Sequence, residues 1–119
     1  MLFELSGALA LLFQPAAQDV DVAYRSLAQG QDQRAIEQIE ANAELDTDDP
    51  ARLINLGIAY ARQGDEVRAR QYFQAAIDSR ERYDLETAEG AWVDSRILAR
   101  RAMKLLDRGE FSAARMTMR

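Results

Sequence analysis

The sequence predicts an all-α chain, a short solenoid of antiparallel helix pairs about two and a half repeats long, with a small β-hairpin inserted at 82–93. Three observations predict it. Apolar residues from Pro50 onward recur at helical spacing. Aspartates and glycines punctuate that pattern where helices start and stop. The chain also superposes on itself after a shift of 34 residues, the kind of period that marks repeat architectures.

Residues 1–17, MLFELSGALALLFQPAA, differ in kind from the rest of the chain. Leu5 to Phe13 is apolar except for Ser6 and Gly7. That run is too short for a bilayer, which needs about 20 residues, but it has the length of a secretory h-region. Pro15 followed by Ala16 and Ala17 suits cleavage after Ala17, whereas Glu4 and the lack of an early Lys or Arg do not. The alternative is an apolar N-terminal helix that packs on the first repeat. The expected organisation is thus 1–17 as signal peptide or apolar helix and 18–119 as one helical domain. The expected location is periplasmic or secreted, with the cytoplasm as the alternative.

The clearest unit runs from Pro50 to about Ser79. Asp49 then Pro50 reads as an N-cap followed by proline at the first helical position. Leu53, Leu56, Gly57 and Tyr60 share one helical face. Gly64 ends that helix and Asp65 caps the next, where Ala69, Phe73, Ala76 and Ile77 face inward. Small Gly57 and Ala69 allow the two helices to approach closely, with Tyr60 and Phe73 filling the space around the contact. Thirty-four residues earlier, Gly30, Ala35 and Ile39 stand for Gly64, Ala69 and Phe73. Val22 and Ala23 stand for Leu56 and Gly57, and Thr47 and Asn42 depart from the pattern. A forward shift of 45 matches Leu98, Ala102, Leu105, Gly109 and Ala114, with Arg101 at the second leucine position.

Leu53-x2-Leu56-Gly57-x2-Tyr60 followed by Ala69-x3-Phe73 and Ala76 resembles the tetratricopeptide repeat, with Leu53 where tryptophan is commonest. The likeness covers 18–79 well and 95–115 loosely, and with 1–17 it describes a small exported bacterial protein of that kind. It implies a binding scaffold whose first helices line a concave groove. By position that groove holds Tyr24, Ile54, Asn55, Ile58, Arg62, Arg96 and Arg100. Asn55, Arg96 and Arg100 fall at three positions of the clamp with which some members grip a C-terminal carboxylate. Val20 and Tyr24 depart from its other two, so a mixed apolar and arginine groove is the expectation rather than a full clamp.

The eleven extra residues between the second and third units carry alternating apolar positions on both sides of Ala88-Glu89-Gly90. Tyr83, Leu85, Thr87, Ala91 and Val93 fall on one face of a hairpin and Trp92 on the other, with an irregular loop as the alternative. Asp94 or Ser95 then caps the last helix.

The composition excludes much chemistry. With no cysteine and no histidine, there are no disulfides, no thiolate nucleophile, no imidazole catalyst and no Cys/His zinc site. No phosphate-binding glycine loop or nucleophile elbow occurs. Asp46, Asp48 and Asp49 cluster, but without the glycine and distal glutamate of a calcium loop they read as turn and cap residues. The expectation is therefore no enzyme, no cofactor and no metal. Charge is uneven: 18–50 carries nine acids and two arginines, whereas 91–119 carries seven bases and three acids. Such polarity favours head-to-tail contacts or one charged partner. The basic stretch Arg96, Arg100, Arg101, Lys104 and Arg108 raises nucleic acid or an anionic membrane, but the acidic net charge and absence of interleaved aromatics disfavour nucleic acid. A protein or peptide partner, or a homodimer, is the reading that remains, with a self-assembling adaptor lacking a peptide groove as its alternative.

Overall fold

The computed structural model describes residues 23–111. They form α1 (Tyr24–Ala28), α2 (Asp32–Ala41), α3 (Pro50–Arg62), α4 (Glu66–Asp78), β1 (Asp84–Glu86), β2 (Trp92–Asp94) and α5 (Ser95–Asp107). The apolar run at 1–17, Val20, Val22, Ala114 and the methionines beyond it lie outside the described residues. The described part is mostly helical with one small two-stranded sheet. None of its helices is long and apolar enough to cross a membrane.

Each long helix from α3 onward starts where an aspartate can satisfy its free N–H groups. Asp49 Oδ1 accepts from the backbone N–H of Ala51 at 2.8 Å and of Arg52 at 3.1 Å. Asp65 accepts from Arg68 at 3.1 Å, and Asp94 from Arg96 and Ile97 at 3.1 and 3.2 Å. Such caps stabilise a helix by about 1 kcal/mol each. α2 has no side-chain cap of this kind at Gln31.

The helices stop with a recurring turn. Gly30, Gly64 and Gly109 have φ of 77°, 87° and 71°, a region that side-chain-bearing residues avoid. Gly64 donates to the Ala61 carbonyl at 3.0 Å and Asp65 to that of Tyr60 at 2.9 Å. Gly30 and Gln31 make the same pair of bonds to Leu27 and Ser26, at 3.1 and 2.9 Å, and Gly109 bonds to Leu106 at 3.0 Å. This is the Schellman arrangement, which satisfies the last carbonyls of one helix while turning the chain into the next.

The central helix is α3, which is buried on nearly every side, from Leu53, Ile54 and Leu56 through Ile58, Ala59 and Ala61. A helix apolar all round belongs inside, and α3 accordingly touches α1, α2, α4 and α5. Its closest partner is α4. A side chain at Gly57 would run into the ring of Phe73, so glycine there is a condition of the helix spacing. Phe73 is fully buried and stacks on Phe111 with ring centroids 6.2 Å apart. Tyr60, half-buried, stacks on Tyr72 at 5.6 Å, with the Arg68 guanidinium 5.4 Å above its ring.

The hairpin pairs Asp84 with Asp94, Leu85 with Val93 and Glu86 with Trp92. Leu85 and Thr87 are buried and Trp92 is 61% exposed, as the alternation requires. Two positions differ from the expected face. Ala91 is exposed. Tyr83 is 39% exposed because its hydroxyl donates to Asp49 Oδ2 at 2.7 Å instead of packing inward. One correspondence within the repeat also changes. Ala23 caps α1 with φ 62°, so it does not occupy a mid-helix place equivalent to Gly57.

Candidate functional site

The seven residues expected to line a groove fall into two groups. Ile54, Asn55 and Ile58 are fully buried, and Arg62 is 6% exposed. These four are interior residues and offer no open surface. The physical reason is that α3 has no polar face: its apolar positions are needed on all sides to join its neighbours. Tyr24 and Arg96 are half-buried, and Arg100 is exposed. Arg96 Nη2 donates to the Ser79 carbonyl at 3.0 Å, which commits it to holding the connection after α4.

Arg62 is held inside by its own hydrogen bonds. Its Nε and Nη2 both donate to Asp32 Oδ1, at 3.0 and 2.5 Å, and Nη2 also donates to the Leu27 carbonyl at 2.6 Å. The guanidinium thus ties the end of α1 and the start of α2 to the last turn of α3. A buried arginine is tolerated when its donors meet a carboxylate in this way.

The outer face of α5 is open. Ile97, Arg101, Lys104 and Arg108 fall at i, i+4, i+7 and i+11, flanked by Arg100, and all are exposed. The opposite face, Leu98, Ala99, Ala102 and Leu106, is buried. Arg108 sits 3.6 Å from Glu110, whereas Arg100, Arg101 and Lys104 make no ion pair among the described residues. On the hairpin, Trp92 stands in solvent across from Glu86, and on α5 Ile97 is 44% exposed. An exposed tryptophan and isoleucine can supply apolar anchorage, and the α5 row supplies charge. Trp92 was legible on the outer hairpin face, but nothing in the sequence singled it out as a contact residue.

The carboxylates before α3 form a second polar locus. Asp46 Oδ1 accepts from the Asp48 N–H at 3.0 Å, Ser79 Oγ donates to the Asp48 carbonyl at 2.7 Å, and the Glu81 carboxyl lies within reach of Asp46. Hydrogen bonding to Asp46, with burial and the nearby charges of Asp46, Asp49 and Asp48, raises the Glu81 pKa. The Asp48 N–H and the Glu81 bond lower that of Asp46. Half-burial and the bond to Asp49 push the Tyr83 hydroxyl upward. Among the described residues no group of acids could hold a metal ion. The pair's effect on stability has a definite sign. Glu81, raised, contributes stability below its unfolded pKa that is lost as pH climbs through its folded one. Asp46, lowered, contributes above its unfolded pKa and loses that as pH falls through its folded one. Carbon-detected NMR titration should show Glu81 titrating above the ordinary glutamate value, and Asp46→Asn should lower it.

No family model, curated protein or solved structure matches the chain. Function therefore has to be read from the residues and their geometry.

Proposed function

We propose that the chain is a non-catalytic protein-binding scaffold built from tetratricopeptide-like helix pairs. The observation that carries this reading is the turn repeated at Gly30, Gly64 and Gly109. A turn recurring with the same backbone sign after each first helix is what stacked helix pairs use to bury a continuous core. The tight contact of Gly57 with Phe73 supports the same reading, since it falls where that repeat needs a small residue against a ring. Partner contact is assigned to the outer face of the hairpin and the first turns of α5, with Trp92, Ile97 and Arg100 as its centre, because the inner residues of α3 are occupied by the core. The apolar run at 1–17 favours an exported scaffold.

A photoreactive amino acid placed at Trp92 tests the reading in cells, with the same label at exposed Glu89 as control. A discrete adduct to a second, different protein from position 92 and not from position 89 is the expected result. Labelling that yields no heteroprotein adduct at 92 would remove the proposal.

A further inference from the structure

Two exposed rows of charge stand on different helices of this chain, and they are complementary. On α2, Glu37 and Glu40 lie on one outer face with Gln33, and Glu44 is exposed in the turn after the helix. Glu37 accepts only a neutral bond from Gln33 at 3.3 Å. Among the described residues none of these three glutamates has an ion-pair partner. Arg34, three residues before Glu37, forms no ion pair with the row among the described residues. On α5, Arg101 and Lys104 repeat the three-residue step of Glu37 and Glu40, with Arg108 beyond and Ile97 before. Both rows face solvent, so neither neutralises the other within one chain.

We propose that the basic row of α5 docks on the acidic row of α2 in a second copy of this chain. Two features favour a second copy over other acidic occupants. The steps match, placing Arg101 and Lys104 opposite Glu37 and Glu40 at the same axial spacing of about 4.5 Å. The net charge of −5 makes an anionic lipid surface or nucleic acid repel most of the molecule while attracting one helix. In a second copy, by contrast, the acidic half is itself the attracting surface. Because the two rows are different patches, the contact is head-to-tail: each copy offers one row and accepts on the other, so association either closes a ring or continues as a chain of copies. This placement of α2 and α5 towards opposite ends of a stack rests on the helix-pair reading above. Exposed ion pairs are individually weak and screened by salt, so the association is weak and salt-sensitive.

The test uses the full chain and two double variants, Arg101→Glu with Lys104→Glu, and Glu37→Lys with Glu40→Lys. All four positions are exposed, and circular dichroism should confirm unchanged folding. By sedimentation equilibrium at low ionic strength, the native chain should self-associate, weakening as salt is added. Each variant alone should lose at least about tenfold in association constant, a change of about 1.4 kcal/mol. An equimolar mixture should recover it, because the acidic α5 of one variant then meets the basic α2 of the other. A mixture no better than its components, or association indifferent to both reversals, overturns the proposal. So does a native chain that stays monomeric, and if that monomer co-floats with phosphatidylserine vesicles the row belongs to a lipid surface. None of these results alters what the label at position 92 captures, so the docking and the scaffold reading fail separately.

Discussion

Replacing Phe73 by alanine is expected to lower unfolding free energy by about 3–5 kcal/mol, the range for deleting a buried aromatic ring. A domain of this size has about 5–15 kcal/mol in total, so the variant should melt far below the native chain and sit close to the unfolding threshold. The ring is fully buried and bridges α4 to α3 and to Phe111. Its loss therefore opens a cavity between three segments that cannot all collapse at once. The contact with Gly57 makes a sharper prediction through a mutant cycle. In the native background Gly57→Ala gains about 1 kcal/mol of helix propensity but overpacks the ring at a cost of about 1–3 kcal/mol. Overpacking should win, because the ring has no empty space to move into. In the Phe73→Ala background the clash is gone, and the same Gly57→Ala change should stabilise. Urea unfolding of the four proteins measures both signs. Additive effects would show that the two residues do not limit the approach of α3 and α4.

Arg62→Ala is the second large effect. It removes two donors from Asp32 and one from the Leu27 carbonyl, leaving a carboxylate whose side chain is 15% exposed beside the core. Breaking a buried pair by deleting one partner costs about 3–5 kcal/mol, and the partial exposure of Asp32 places the expected loss near the lower end. Arg62→Lys should recover only part of it, since an ammonium cannot bridge Asp32 and Leu27 with a rigid fork. Hydrogen exchange locates the damage: α1 and the first turn of α2 should lose protection before α4 and α5 do. Uniform loss across all helices would mean that Arg62 supports the core generally and does not fasten its first unit.

Punctuation was the most readable part of the sequence. Asp49-Pro50, Gly64-Asp65 and Asp94 act locally, through side chains and backbone angles within a few residues, and so leave their signal where they act. The facing positions Leu53, Leu56, Ala69, Phe73 and Ala76 were readable for the same reason, since periodicity is a local property. The candidate groove was not. Whether Ile54 and Ile58 face a groove or a neighbour depends on what lies across from them, and periodicity along one helix carries no record of that. Arg62 finds Asp32 thirty residues away, a pairing that no spacing within α3 announces. Tyr83 had the alternation of a core residue and instead reached a carboxylate thirty-four positions earlier. Ala23 adopts a positive φ that its side chain gives no reason to expect.

The hairpin's two ends meet at a single seam. The Tyr83 carbonyl accepts from the Ser95 N–H at 3.0 Å while the Tyr83 N–H donates to Ser95 Oγ at 3.3 Å, and Ser79 next to them anchors both Asp48 and Arg96. Whatever length of chain leaves at Tyr83 must return within reach of Ser95, so the stacking of α4 on α5 is insulated from the tip at 88–91. Lengthening a loop closed in this way costs only about 0.6 kcal/mol per doubling. The seam thus works as a socket. Descendants of this chain could exchange the tip, and with it the surface around Trp92, for another recognition element without renegotiating the helical frame beneath.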